Sequence, residues 1–294
     1  MTSLNETLTM IAEHIKCDAA ILMSYAAEDN IGGYHYNTAL QLWPAGSVWG
    51  VEGQIIYALI RHLKPAVVAE VGGWAGCSAA HMAAAVKANG VGHVYGVDDG
   101  SETSFEPYNR FPKDLQEYVT FVRADGREWL AQQPNGSIGL LFDDASHAES
   151  LIIELAHLAL QKCEPGGLFL NHDAMHDQAF YPDGSRTAST LGRQVRDALD
   201  KAGLYFRPYL TEPSDCGLAI TVVPGVRKPI AHSVTNDDFI NGKSQIASDH
   251  IAALSVGNAN IESDGLLTPA EPLQAQEKQT PTRKPAPRGK GKRK

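Results

Sequence analysis

The stretch Ala66–Asp99, AVVAEVGGWAGCSAAHMAAAVKANGVGHVYGVDD, decides the fold. Ala66 to Val71 is a short apolar run rich in β-branched residues, which suits a strand buried on both faces. Gly72, Gly73 and Gly76 predict a tight turn. Cys77 to Asn89 is rich in alanine and other good helix formers, and Gly90 sits where a helix C-terminal glycine belongs. A second apolar run, His93 to Val97, ends in Asp98 and Asp99. The whole is a strand–glycine turn–helix–strand unit with an acid roughly 20 residues or more beyond the turn, an arrangement that binds the ribose end of a nucleoside cofactor.

The turn narrows the choice of cofactor. A dinucleotide site calls for G-x-G-x-x-G so that the chain can pass close to a pyrophosphate, and here the turn reads Val71-Gly72-Gly73-Trp74-Ala75-Gly76. Glu70 ends the strand, where a carboxylate would repel a pyrophosphate but could help hold a cationic ligand. The pattern Glu70-x-Gly72-x-x-x-Gly76-x-Ser78 resembles motif I of the class I methyltransferases. Upstream, Gly53-Gln54-Ile55, Ile60-Arg61 and Pro65 look like the corresponding stretch of catechol O-methyltransferase and its relatives. The resemblance implies a Rossmann-like, doubly wound α/β fold. Its sheet would be seven-stranded and mostly parallel, with a C-terminal antiparallel hairpin and helices on both faces. It also implies S-adenosylmethionine as cofactor. Glu70, Ser78 and the turn Gly72, Gly73, Trp74 and Gly76 would hold the methionine part, Asp98 the ribose hydroxyls with Asp99 as the nearby alternative, and Asp125 would lie beside the adenine.

Downstream, strand and helix signals alternate. A short helix starts near Pro112, a residue that favours the first helical turn. Val119–Val122 reads as a strand ending near Asp125, Gly126–Gln133 as a helix, and Ile138–Phe142 as a fully apolar strand ending at Asp143-Asp144-Ala145-Ser146-His147. Ser146-x-x-Glu149 predicts a capping box for the next helix, whose Leu151, Ile152, Leu155 and Leu158 share a face. Pro165-Gly166-Gly167 turns into a strand, Leu168–Asn171, that ends at His172-Asp173. A helix over 190–202 stops at Gly203, and Tyr205–Leu210 with Gly217–Val223 predicts a closing hairpin. Alternation of this kind gives a mostly parallel sheet with right-handed crossovers.

Acids therefore recur at the carboxyl ends of the strands, where an open α/β sheet binds ligands: Glu70, Asp98, Asp125, Asp144 and Asp173. The segment Asp143-Asp144-Ala145-Ser146-His147 with Glu149 resembles the D-G-x-H-x-Y-E segment of sugar and antibiotic-tailoring O-methyltransferases. Gly166-Gly167 followed by His172-Asp173 resembles their G-G…H-D segment. In metal-dependent members, acids at these two strand ends bind one Mg²⁺. Carried over, Asp144 and Asp173 are the ligands with His172 adjacent, and Asp144 also borders the cofactor. The chain departs from the pattern: Ala174 follows Asp173 where the catechol type has Asn, and Glu149 directly follows Ala148, without the tyrosine. Metal assistance thus stands beside a metal-free alternative in which His147 or His172 is the general base, since imidazole titrates near neutrality. The implied reaction is methylation of a hydroxyl on a small molecule. The rivals are a methyltransferase acting on a macromolecule and a non-catalytic protein that keeps the cofactor fold.

The chain has 294 residues, 43% of them hydrophobic, enough for one sizeable core with additions. Its four cysteines, Cys17, Cys77, Cys163 and Cys216, are scattered and form no C-x-x-C, which argues against a zinc site and a disulfide framework and fits a reducing compartment. The N-terminus shows no signal peptide and no run reaches the roughly 20 apolar residues that span a bilayer, so a cytoplasmic protein without membrane contact is expected. Net charge is −9, but eight of the 25 basic residues lie in the last seventeen positions, which hold no acid; residues 1–277 thus carry 17 basic against 34 acidic residues. An acidic body is a poor nucleic-acid surface. The sequence divides into N-terminal helices with a cap loop (1–50), a cofactor domain (51–224), a mixed extension (225–262) and a basic tail (263–294) too poor in apolar residues to order. The tail suggests weak contact with a polyanion, and a homo-oligomer is compatible with the rest.

Overall fold

The structure, a computed structural model, describes residues 2–31, 48–101, 111–180 and 186–225. The expected cap loop with Trp43, most of the polar loop after Asp99, the extension and the basic tail lie outside these residues. The elements in chain order are α1 (Leu4–Ile15), α2 (Ala19–Glu28), α3 (Gly50–Leu63), β1 (Val67–Val71), α4 (Cys77–Asn89) and β2 (His93–Asp98), followed by a 3₁₀ turn over Lys113–Tyr118. Next come β3 (Val119–Arg123), α5 (Gly126–Gln132), β4 (Ile138–Asp143), α6 (Glu149–Lys162) and β5 (Cys163–Asn171). The chain continues through β6 (Gln178–Phe180), β7 (Arg186–Ala188), α7 (Leu191–Lys201), β8 (Phe206–Tyr209) and β9 (Leu218–Val222).

Seven strands form one sheet in the order β3-β2-β1-β4-β5-β9-β8. The first five run parallel, and β9 joins β5 and β8 antiparallel. The order reverses between β1 and β4, where Val71 pairs with Asp143, so the two strand ends open side by side. Every residue of β1 and β4 is buried, the signature of strands covered on both faces. Alternate strand residues feed two cores. Val68, Leu140, Phe142 and Leu170 pack with α1 to α4, while Val67, Ala69, Leu141 and Phe169 pack with α5 to α7.

Three local readings change. The capping box at Ser146 is absent: α6 begins at Glu149 with Ala148 as its cap, which has no side chain to offer. Strand β5 starts at Cys163 rather than after Gly167, because Gly166 N–H donates to the Val223 carbonyl (2.9 Å) and Val223 N–H to that of Gly167 (2.9 Å). The small β6–β7 ribbon was not anticipated; its strands have only three residues each, too short for a periodic signal.

Candidate active site

The site grows from the end of β1. Gly72 takes φ +92°, and a Cβ there would lie 2.3 Å from the Asp144 carbonyl oxygen, so only glycine lets the turn pass this close to the end of β4. Gly72 N–H donates to the Val97 carbonyl (2.8 Å), and Gly76, at φ +81°, caps α4. Asp98 holds the turn from the side. Its carboxylate accepts from Trp74 N–H (2.9 Å) and Gly100 N–H (2.7 Å). Asp99 lies farther out and accepts from Ser101 N–H (2.7 Å).

Beneath the turn, Glu70 is fully buried. One carboxylate oxygen accepts from the Ser78 hydroxyl; the other, Oε2, has no hydrogen-bond partner. Burial pushes its pKa up to about 8, with the Ser78 hydrogen bond opposing and the charges of Asp144 and Asp98 adding to the rise. Glu70 and Ser78 thus lie beneath the turn that contains Gly73 and Gly76, and none of the four lines the cleft beside it. Val71, Gly72, Trp74, Asp98 and Asp99 line an open cleft of about 450 Å³ at the strand ends.

The far wall of the cleft carries Asp144, His147 and Asp173. One donor atom from each lies within 4.8 Å of the others. His147 Nε2 is 3.2 Å from Asp173 Oδ2. Burial alone would lower the pKa of His147, but Asp173, Asp144 and Asp143 outweigh it and hold it above the usual imidazole value. Asp173 takes a left-handed φ of 56° at the tip of β5, an uncommon conformation for a non-glycine residue that aims its side chain back over the strand ends. Asp125 also borders the cleft, but its carboxylate is occupied: it caps α5 through Arg127 N–H (2.8 Å) and pairs with the Arg127 guanidinium (2.6 Å). The Arg127 hydrogen bonds bring its pKa down to about 2.

His172 lies behind the cleft, between two carboxylates. It is buried, with Nδ1 2.9 Å from Asp144 and Nε2 3.0 Å from Glu52. Burial disfavours its charged form, yet Asp144 and Glu52 raise its pKa well above the ordinary value. Both ring nitrogens are thus engaged by carboxylates, although His172 also has a donor atom within 4.8 Å of those of Asp173 and Cys216. His172 holds Asp144 in place and leaves His147 as the histidine open to the cleft. Glu52 is the residue that sequence reasoning missed. Buried on α3, it also accepts from Ser214 Oγ (2.5 Å), Gly217 N–H (2.8 Å) and Trp49 N–H (3.1 Å). Its only sequence signal is an acid among the mostly apolar and glycine residues of GVEGQII.

Residues 69–174 match the family model described as a methyltransferase domain. No curated protein matches. Among solved structures, the O-methyltransferase TomG from Streptomyces achromogenes, involved in tomaymycin synthesis and crystallised with SAM, is 16% identical, with a TM-score of 0.50 over 70% of this chain and 96% of that one. Cofactor-bound Rv0187 from MTB is 15% identical, with a TM-score of 0.50 over 77% of this chain and all of that one. At such identities the likeness shows the fold.

Proposed function

We propose that the chain is a class I methyltransferase that moves the methyl group of S-adenosylmethionine onto a hydroxyl oxygen of a small molecule, a reading that the match of residues 69–174 to a methyltransferase domain supports. The observation that carries this reading is the shared cleft: the glycine turn with Asp98 forms one wall, and Asp144, His147 and Asp173 form the other. The cofactor fits what the residues offer. Glu70 keeps a buried oxygen without a partner beneath the turn, suited to a cationic aminoacyl group, and Asp98 stands at the end of β2 where ribose hydroxyls bind. S-adenosylmethionine supplies an electrophilic methyl carbon on a positively charged sulfur.

The protein's share of the chemistry is alignment and removal of one proton. The acceptor oxygen forms its bond to carbon as the carbon–sulfur bond breaks, and the hydroxyl proton passes to His147, which Asp173 orients. The oxygens of Asp144 and Asp173 with the His147 nitrogen also form a donor set that suits Mg²⁺. Bound there, Mg²⁺ would lower the pKa of the acceptor hydroxyl. His147 would then be a ligand, and the metal-activated hydroxyl would ionise without it.

Calorimetry with S-adenosylmethionine, S-adenosylhomocysteine and NAD tests the cofactor. The first two bind, and Asp98→Ala weakens them by about 1.5–3 kcal/mol, the scale of hydrogen bonds to a charged group. Binding of NAD alone would overturn the reading. Methyl transfer to a panel of catechols and phenols, with and without exhaustive chelation, then separates the two roles of His147. Loss of activity on chelation assigns it to the metal; activity that survives chelation but not His147→Ala assigns it as the base.

A further inference from the structure

We propose that His176, Asp215 and Cys216 form a second cation site, adjoining the Asp144–His147–Asp173 wall through Asp173, that takes Zn²⁺ through a thiolate. The three residues come from two loops, one after β5 and one between β8 and β9. Met175 N–H donates to the Cys216 carbonyl (2.8 Å), which joins the loops. Cys216 N–H donates to Ser214 Oγ (3.0 Å), and the next residue, Gly217, donates its N–H to Glu52 (2.8 Å), so the cysteine's backbone is fixed on both sides. Gly217 has no room for a side chain: a Cβ would lie 2.7 Å from that of Met175.

Onto this frame the side chains converge. Cys216 Sγ lies 3.7 Å from His176 Nδ1 and 3.4 Å from Asp215 Oδ1, and all three donor atoms fall within 4.8 Å of one another. Tetrahedral zinc bonds of about 2.3 Å to sulfur and about 2.0–2.1 Å to nitrogen or oxygen put neighbouring donors about 3.5 Å apart. Both edges at the sulfur already have that length. Asp173 stands between the two sites. Its Oδ2 faces His147 at 3.2 Å, while Oδ1 faces His176 at 4.0 Å and can complete the second set. The residues are half-buried, which leaves a way in for the ion.

The two sites differ in chemistry. Asp144, His147 and Asp173 offer mainly hard oxygen. Sulfur, imidazole and one carboxylate form a softer set that prefers Zn²⁺ to Mg²⁺, and zinc binding releases the thiol proton. The ion would clamp the loop after β5 to the loop before β9 and so fix Asp173 from the side away from the cleft.

The test uses the full chain, stripped by chelator and titrated with Co²⁺ as a spectroscopic substitute and with Zn²⁺. Co²⁺ should bind with a thiolate-to-cobalt charge-transfer band. Cys216→Ser should abolish the band and weaken Zn²⁺ binding at least about 10-fold, given that loss even of a residue that merely supports a ligand costs 10–100-fold. His176→Ala should weaken Zn²⁺ binding similarly. Asp144→Asn should keep the band, because Asp144 contributes no donor atom to the His176–Asp215–Cys216 set. The metal-free melting temperature of Cys216→Ser should match that of the parent, and Zn²⁺ should raise the parent's more than the variant's. Absence of the band in the parent chain, or its survival in Cys216→Ser, overturns the proposal and leaves the methyltransferase reading intact.

Discussion

His172 sits between two carboxylates, Glu52 on α3 and Asp144 at the end of β4, and this arrangement predicts how stability follows pH. The folded-state pKa of His172 lies well above its ordinary 6.5, so its contribution is full below 6.5 and is lost as pH rises through the folded value. Burial would raise the pKa of Glu52, but His172, Ser214 and Trp49 lower it below the ordinary 4.5, so its contribution is full above 4.5 and lost as pH falls through the lowered value. The pair is therefore worth most between about 4.5 and 6.5 and fades on both sides. Glu52→Gln leaves a buried imidazolium with one partner. It should cost about 3–5 kcal/mol in urea unfolding near pH 6, with the loss shrinking toward alkaline pH as His172 becomes neutral. A loss independent of pH would mean that Glu52 acts only through Ser214 and Gly217. Glu70 gives a second prediction of this kind. At pH 7 its buried carboxyl, with a pKa of about 8, is mostly protonated. A cationic aminoacyl group arriving above it should ionise it, so cofactor binding should release close to one proton. Calorimetry at pH 7 in buffers of different ionisation enthalpy reads this directly, and Glu70→Gln should release none.

Among the elements, the turn between β1 and α4 and the end of β4 act as one piece, because Gly72 rests on the Asp144 carbonyl. Gly72→Ala should cost about 2–5 kcal/mol, combining the strain of a left-handed alanine with the overlap against rigid backbone. It should also weaken cofactor binding more than it shifts the melting temperature of the rest of the sheet. Unfolding by urea and calorimetry on the same sample check both. This coupling also explains what the sequence could and could not tell. Gly72, Gly76 and the apolar runs of β1, β2 and β4 are local signals, and they led to the fold and the cofactor side of the cleft. The Ser146–Glu149 pattern misled because the backbone before α6 is committed elsewhere. Asp144 N–H donates to the Val71 carbonyl (2.9 Å) and Ala145 N–H to Asp143 (3.2 Å), so the helix can start only after His147 has been placed. Glu52 and Cys216 were invisible for a related reason. Their partners lie on elements far apart in sequence, as in the 120-residue separation of Glu52 from His172, and no periodicity reports such a meeting.

At the scale of the whole molecule, charge is divided between an acidic body and a basic end. Among the described residues no helix is long and apolar enough to cross a membrane. The last seventeen residues concentrate eight cations with no acid, interrupted by Pro281, Pro285, Pro287, Gly289 and Gly291. Residues 263–294 are therefore expected to act as an electrostatic tether that takes no part in the chemistry. A polyanion would be repelled by residues 1–277, with their net charge of −17, and attracted only by the tail. Contacts of lysine and arginine with phosphates release counterions, so affinity for RNA or DNA should fall steeply between 50 and 200 mM salt, by roughly 10³-fold if about six phosphates are engaged. A chain ending at Glu262 should keep its melting temperature and its affinity for S-adenosylhomocysteine while losing whatever polyanion binding the full chain shows. A truncated chain that unfolds, or that no longer binds the cofactor product, would instead place the tail against the body as part of the folded structure.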